Sequence, residues 1–263
     1  MSELINVKDV VKEKYAEIAV KNTSCGCCGT NEKVVDYTMF QDDYSKFEGY
    51  VADADMGLGC GVPTEHAGIK EGDTVLDLGC GAGNDVFVAR TKVGKSGKVI
   101  GVDMTQEMID KANRNKEKLG LKNIEFKLGE IEQLPINNDF IDVVISNCVL
   151  NLVPDKKAAF SEIYRVLKEG AHFCISDIVL VGDLPDGLRK SAEMYAGCVS
   201  GALQESEYLR IIDEIGFKNI EIKSRKTVEL PDELLNEYLN ETEIEKFRKN
   251  KTGIFSITVV GQK

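Results

Sequence analysis

The residues from Asp77 to Gly83 combine an acid with three glycines at every second position. Thr74–Leu78 is a short apolar run that predicts a buried strand, and the chain then breaks at Gly79, Gly81 and Gly83 into a predicted helix. Such glycines let the backbone turn sharply and approach a ligand closely, and the first N–H groups of a helix favour electron-rich groups. The segment therefore predicts a strand–turn–helix site for a nucleotide-like ligand.

The spacing of these residues selects the kind of ligand. A dinucleotide fingerprint reads G-x-G-x-x-G and seats a pyrophosphate, whereas an acid two positions before the first glycine, Asp77, repels phosphate and attracts a cation. The next predicted strand ends in Asp103, where a carboxylate can accept both hydroxyls of a ribose. S-adenosylmethionine has an adenosine, a positive amino group and no phosphate, and it is the predicted cofactor. A glycine-rich turn without a ligand is the alternative.

This motif resembles the first signature of class I methyltransferases. The resemblance places Glu130 and Ile131 at the adenine edge and ring, Met104 over the other face of the ring, and the carbonyl of Asn147 near the methionine amine. The alternatives are that Glu130 is a solvated turn carboxylate and that Met104 fills the core. The full set of predicted cofactor-binding residues is Asp77, Gly79, Cys80, Gly81, Gly83, Asn84, Asp103, Met104, Glu130, Ile131 and Asn147.

The regular elements that must position these residues alternate between strand and helix from Gly72 onwards. Alternation of this kind predicts a parallel, doubly wound α/β sheet. We expect a seven-stranded, Rossmann-like class I methyltransferase sheet with an N-terminal helical extension and an insertion after strand five. The predicted strands are 73–78, 98–102, 123–128, 140–146, 171–177, 220–230 and 253–261. The predicted helices are 84–92, 106–119, 155–168, 186–200, 205–215 and one near 232–238.

The chain is expected to divide into three regions. Residues 1–70 form an N-terminal extension and lid, in which 6–20 has the apolar spacing of an amphipathic helix. Residues 71–180 form the cofactor-binding core, with Gly170 expected to end its third helix. Residues 181–263 supply a substrate-binding insertion and the last two strands.

The net charge of −11 argues against nucleic acid or an anionic membrane as a partner, because both require clustered Lys and Arg. A small-molecule substrate is therefore expected. The sequence has no apolar run near 18 residues and no N-terminal export signal, which predicts a soluble, cytoplasmic protein. Its eight cysteines should then be mostly reduced thiols.

The cysteines differ in their surroundings. Cys80 and Cys174 have the neighbours of small core residues. Cys60, Cys148 and Cys198 come from three separate segments, and the fold brings two of them near the methyl end of the cofactor. Three thiolates from separate elements suit a soft ion with a pyramidal three-fold preference, such as trivalent arsenic.

Four segments of the chain together resemble the arsenite methyltransferases. They are Gly59–Gly61, Ser146–Leu152, Tyr195–Ala202 and Ser256–Val259, within a resemblance that spans residues 35–263. The resemblance implies that Cys60, Cys148 and Cys198 are the catalytic thiolates and that they bind arsenic as substrate. The N-terminal group Cys25, Cys27 and Cys28 matches the family only loosely. It can receive arsenite, form a disulfide with Cys60 after turnover, bind adventitious metal, or lie in a flexible loop.

The resulting hypothesis is detoxification by arsenite methylation. Arsenite exchanges hydroxide or glutathione ligands for Cys148 and Cys198 and then Cys60, and the arsenic lone pair attacks the sulfonium methyl group. Methylation oxidises arsenic, so a thiol reductant such as glutathione or thioredoxin is an expected partner. Two alternatives remain: a class I methyltransferase acting on carbon or oxygen of another small metabolite, and a metalloid-binding protein without catalysis.

Overall fold

The chain is built around one seven-stranded sheet with the strand order β3-β2-β1-β4-β5-β7-β6. The computed structural model describes residues 7–21, 42–189, 199, 201–230, 232–249 and 253–263. β1 to β5 are parallel, whereas β7 runs antiparallel between β5 and β6. The predicted seven-stranded, doubly wound class I methyltransferase sheet is confirmed, and its last two strands form a reversed hairpin.

The central strands are formed by apolar and β-branched segments. Such residues suit these strands because helices cover both faces of a doubly wound sheet. The strands are β1 Thr74–Leu78, β2 Lys98–Asp103, β3 Ile124–Leu128, β4 Ile141–Asn147, β5 Leu167–Val181, β6 Lys218–Val228 and β7 Gly253–Gln262. The helices are α1 Val7–Lys21, α2 Pro63–His66, α3 Asn84–Val93, α4 Gln106–Lys118, α5 Lys156–Val166, α6 Asp186–Arg189, α7 Glu205–Ile215, α8 Asp232–Tyr238 and α9 Glu241–Lys249. Short 3-10 turns cover Tyr44–Lys46, Ala52–Ala54 and Leu150–Leu152.

The strand order reverses between β1 and β4, which are adjacent in the sheet although β2 and β3 lie between them in sequence. In open α/β sheets, ligands bind at such a reversal, outside the carboxyl ends of the strands. The glycine turn follows β1 at this edge, and Cys148 follows β4. The topology therefore brings the predicted cofactor residues and one predicted arsenic ligand to the same side of the molecule.

The region after α5 differs from the sequence prediction. A helix over 155–168 ended by Gly170 was expected, but α5 ends at Val166 and β5 begins at Leu167. Leu167 already has extended backbone angles and pairs with Ile141, and the register shifts before His172 pairs with Val143. Gly170, with a φ of 75°, lies in the irregular start of the strand and does not cap the helix. Val166 and Leu167 are apolar and suit a helix as well as a strand. The pairing of Leu167 with Ile141 therefore decides where α5 ends and β5 begins.

Two other expectations concern the C-terminal third of the chain. Helix α9 was not predicted, because its run of charged residues buries only Ile244. Of the helix expected over 186–200, the described part is α6, and residues 190–198 and 200 lie outside the described residues.

The division of the chain into three regions, with boundaries after residues 70 and 180, stays a prediction. No helix within the described ranges combines the length and the apolarity that crossing a membrane would require.

Candidate active site

The glycine turn has the backbone conformation that its sequence predicts. Gly79, Gly81 and Gly83 have φ values of 64°, 51° and 99°, in the left-handed region that favours glycine. A Cβ atom at Gly79 would lie 2.5 Å from the side chain of Val149, so bulk is excluded there as well. Gly83 is the N-cap of α3, and the turn therefore directs the start of that helix towards the ligand cleft.

Three buried carboxyl groups line the cleft beside this turn, from Asp77, Asp85 and Asp103. Burial is the largest cause that raises the pKa of all three, and the pKa of Asp85 reaches about 6. The charges of Asp85 and Asp103 raise the pKa of Asp77 further. A cation placed among these groups would offset their mutual repulsion and favour their ionised forms.

Other polar atoms of the cleft can also bind a cationic adenosine compound. Asp103 is held by two backbone donors, Gly81 N–H at 2.9 Å and Thr105 N–H at 2.8 Å. Each carboxylate oxygen has a second lone pair, so the fixed carboxylate can still accept bonds from a ribose. The buried Oδ1 of Asn84 lines the cleft and has no hydrogen-bond partner among the described residues. An acidic cleft with such an acceptor fits an adenosine compound that carries a positive charge.

Met104, Glu130 and Ile131 also line the cleft, and their role at an adenine ring stays a prediction. Ile131 is buried, whereas Glu130 is exposed and forms a 2.8 Å ion pair with Lys8. Lys8 lies on α1 and also pairs with Glu132 at 2.9 Å. Helix α1 therefore covers this part of the cleft, in the place expected for a lid.

The side chain of Asn147 links two parts of the site that the sequence did not connect. Its Oδ1 accepts the Cys60 backbone N–H at 3.0 Å, and its Nδ2 donates to the Gly61 carbonyl at 2.8 Å. Nδ2 also lies 2.9 Å from the Tyr44 hydroxyl and 3.1 Å from Asp85 Oδ2. Asn147 thus attaches the segment Gly59–Gly61, hereafter the Cys60 loop, to the end of β4. The predicted role of its carbonyl stays a prediction.

Cys60 and Cys148 are 88 positions apart in the sequence, yet both are buried in one apolar cluster at the carboxyl edge of the sheet. Cys148 lines the cleft directly, and Cys60 follows Gly59, which also lines it. Cys198 lies outside the described residues, as do Cys25, Cys27 and Cys28. The neighbour of Cys198, Val199, is buried in the same cluster as the two thiols. Within the described ranges, no group of three His, Cys, Asp or Glu side chains has a metal-binding arrangement.

The other two described cysteines are packing residues, as expected. Cys174 is fully buried in β5 beside the Pro63 carbonyl at 3.2 Å, and burial raises the pKa of its thiol to about 12. Cys80 packs over Gly101, where its Sγ lies 2.7 Å from the position of an added Cβ. Cys80 also lines the cleft, and burial raises the pKa of its thiol well above the usual value.

The backbone at Cys148 is strained. Its φ of 60° lies in the left-handed region, which is unfavourable for a residue with a side chain. The Cys148 N–H donates to the Ser176 carbonyl at 2.7 Å, and this bond holds the turn against β5. Strain of this kind persists only where the surrounding structure enforces it, and it is commonly found at functional sites.

Lys8, Tyr44 and Asp85 are polar residues of this cleft to which the sequence analysis assigned no specific role. Lys8 lies on a helix that was expected to act as a lid, so the periodicity of that helix carried a partial signal. Tyr44 lies in a segment without periodicity, and Asp85 is the first acid of α3, where a helix-capping role is equally common. Their proximity depends on contacts over 41 positions and more, which a local pattern does not contain.

Comparisons with known proteins show that the chain is similar to methyltransferases. A family model described as a methyltransferase domain matches residues 69–216. The arsenite methyltransferase of Halobacterium salinarum is 41% identical over 227 residues, which cover 82% of this chain and 58% of that protein. The human arsenite methyltransferase is 40% identical over 169 residues, 60% of this chain and 44% of that protein. The chain thus spans about half the length of these relatives.

A solved structure is also similar to the chain over most of its length. It is the crystal structure of an arsenic(III) S-adenosylmethionine methyltransferase from Chlamydomonas reinhardtii, with a TM-score of 0.67 and 35% sequence identity. The match covers 78% of this chain and 67% of the algal one.

Proposed function

Because the chain belongs to the arsenite S-adenosylmethionine methyltransferase family, we propose that it methylates trivalent arsenic held by Cys60, Cys148 and Cys198. The observation that carries the proposal is the burial of Cys60 and Cys148 in one cluster beside the acidic cleft, next to Val199. Packing alone does not require two thiols from distant segments beside a cofactor cleft, one of them, Cys148, with a strained backbone.

Bound S-adenosylmethionine supplies an electrophilic methyl group for the arsenic lone pair. The buried acids Asp77, Asp85 and Asp103 would hold the positive and hydroxyl groups of this cofactor, and Glu130 and Ile131 its adenine. The thiols of the cluster exchange with the hydroxides of arsenite, and each hydroxide leaves as water with one thiol proton. No general base is needed for the methyl transfer, because the arsenic atom carries no proton.

Methyl transfer leaves arsenic oxidised by two electrons, so a further methylation requires a reductant. We propose a thiol such as glutathione or thioredoxin, which becomes a disulfide as arsenic returns to the trivalent state. The protein then acts in a reducing compartment such as the cytoplasm, because its arsenic-binding thiols must stay reduced.

Incubation of the protein with arsenite, glutathione and methyl-labelled S-adenosylmethionine tests the proposal, with chromatographic separation of the arsenic species. We expect label in methylated arsenic for the wild-type protein. Cys60→Ser, Cys148→Ser and Cys198→Ser should each abolish it and retain cofactor binding. Cys174→Ser is the matched control, because its hydroxyl can still bond the Pro63 carbonyl.

Two outcomes would favour the alternatives. Binding of arsenite without formation of S-adenosylhomocysteine would indicate a metalloid-binding protein. Absence of arsenite binding, with labelling of another metabolite, would indicate a different methyl acceptor.

A further inference from the structure

Tyr44 lies at the junction of the cofactor cleft and the Cys60 loop. It begins a 3-10 turn, and its ring is buried against Val62 and Val88. Its hydroxyl oxygen lies 3.0 Å from the Gly61 carbonyl and 2.9 Å from Asp85 Oδ1. Burial of a tyrosine hydroxyl requires partners, and here the partners belong to two different binding regions.

The hydrogen bonds around this hydroxyl form one connected unit. Three donor hydrogens are available, one on Tyr44 and two on Asn147 Nδ2, and the acceptors are Asp85, the Gly61 carbonyl and the Tyr44 oxygen. All donors are used when Tyr44 donates to Asp85 and Asn147 donates to Gly61 and Tyr44. The remaining atom of this unit, Asn147 Oδ1, accepts the Cys60 N–H.

The ionisation of Asp85 controls the strength of this unit. Bonds to a carboxylate are stronger than bonds to a neutral acid, and neighbouring hydrogen bonds reinforce one another. Asp85 is buried and lines the cleft, so a cationic ligand in the cleft favours its ionised form. The other titratable groups that act on Asp85 or respond to its charge are Asp55, Asp77, Tyr44 and Cys174.

We infer that Tyr44 is a positioning residue that couples occupancy of the cofactor cleft to the position of the Cys60 loop. The inference rests on the proposed function, since it concerns how arsenic and cofactor affect each other's binding. A cation beside Asp85 strengthens the Tyr44 and Asn147 bonds and fixes the Cys60 N–H and the Gly61 carbonyl. The Ser256 hydroxyl, which donates to the Cys60 carbonyl, holds the loop from the other side. Arsenite then binds to a Cys60 loop that is already positioned, so the bound cofactor increases the affinity for arsenite. By linkage, bound arsenite increases the affinity for the cofactor by the same factor.

Equilibrium dialysis of arsenite, with and without saturating S-adenosylhomocysteine, measures this coupling without turnover. For the wild-type protein we expect the cofactor product to tighten arsenite binding about fivefold or more. Tyr44→Phe keeps the buried ring and removes the hydroxyl, and we expect the ratio to fall below about two. The affinity for S-adenosylhomocysteine alone should stay within about twofold of the wild-type value, because Tyr44→Phe leaves Asp77 and Asp103 in place. In turnover assays the KM for arsenite at saturating cofactor should rise, and by reciprocity the KM for the cofactor at saturating arsenite should rise as well, although the arsenite-free protein binds the cofactor product normally.

Tyr164→Phe is the matched control, because this ring packs against Phe217 in a different core cluster from Tyr44 and should keep the wild-type ratio. If Tyr44→Phe does not fold, Asp85→Asn removes the carboxylate from the same unit and should also lose the coupling. Wild-type coupling in a folded Tyr44→Phe or Asp85→Asn protein would overturn the inference, and so would a wild-type protein that binds arsenite without coupling. Failure of the wild-type protein to bind arsenite would refute the proposed function itself.

Discussion

The position of Cys60 depends on close contact between its loop and β5, and the substitution Gly61→Ala tests this contact. An added Cβ at Gly61 would lie 2.5 Å from Ser176 Oγ and 2.7 Å from Ser176 Cβ. The hydroxyl can rotate, but the Cβ cannot move, because Ser176 pairs with both β4 and β7 in the middle of the sheet. The loop must therefore move away by about 1 Å to reach ordinary van der Waals contact.

Two magnitudes follow from this displacement. Overpacking of a buried site costs about 1–3 kcal/mol of unfolding free energy. A displacement of about 1 Å in a group that positions a reactant reduces turnover by up to about 100-fold. We expect Gly61→Ala to lower stability by about 1–3 kcal/mol in urea unfolding, and to lower kcat/KM for arsenite about 10- to 100-fold.

A double-mutant cycle separates the contact from other effects. Ser176→Gly removes the Cβ that the new methyl group would meet, so in the double variant Gly61→Ala should cost less than it does alone by about 1 kcal/mol or more. Gly68→Ala is the control, because Gly68 has a positive φ but no atom within 4 Å of an added Cβ. It should lose about 1 kcal/mol through backbone strain and keep full activity. The reasoning would be contradicted if Gly61→Ala and Ser176→Gly had additive effects on stability. Unchanged arsenite methylation in Gly61→Ala would contradict it as well.

Three further predictions concern other parts of the site. Lys8→Ala should speed cofactor dissociation about two- to fivefold in stopped-flow measurements, because it removes partly exposed ion pairs to Glu130 and Glu132, and added salt should reduce the difference. Burial raises the pKa of Asp177 from 3.8 to about 7, so its ionisation destabilises the fold progressively as the pH rises through this range. Asp177→Asn should therefore gain stability relative to wild type between pH 4 and pH 8, by up to about 4 kcal/mol in urea titrations, and an unchanged difference would refute this. Cys148→Gly should be as stable as Cys148→Ala or more stable by about 1 kcal/mol, although both lose activity, because glycine relieves the left-handed backbone. A thermal scan that finds the alanine variant clearly more stable than the glycine variant would contradict the claim that the backbone is strained at this position.

The parts of this protein that the sequence predicts are those that depend on neighbouring residues. The strand, glycine turn and helix from Thr74 to Val93 follow from local periodicity and from the positive φ values that three glycines permit. The parallel, doubly wound class of the sheet follows from the alternation of strands and helices, whereas its seven-stranded methyltransferase form was inferred from the family resemblance. The start of β5 was not predictable, because Leu167 suits a helix and a strand equally and only its pairing with Ile141 decides between them.

The candidate site divides in the same way. Asp77 and Asp103 were predictable because each stands at a fixed distance from a glycine turn or a strand end. The hydrogen bonds of Tyr44 and the Asn147 side chain were not, because they join segments whose approach is set by the whole sheet. The placement of Cys148 followed from the end of β4, whereas that of Cys60 was inferred from the family resemblance.

One residue of β5, Ser176, contacts the segments of both Cys60 and Cys148. The Ser176 carbonyl accepts the Cys148 N–H at 2.7 Å, and the Ser176 side chain limits how closely the Cys60 loop approaches. The Ser176 hydroxyl is itself bonded to Thr258 on β7 at 2.8 Å, so its position is set by the centre of the sheet. A change in the β5 register would therefore move both the turn at Cys148 and the surface against which the Cys60 loop packs. In the proposed arsenic site, two of the three ligands thus belong to segments that contact Ser176, and the third, Cys198, belongs to a separate part of the sequence.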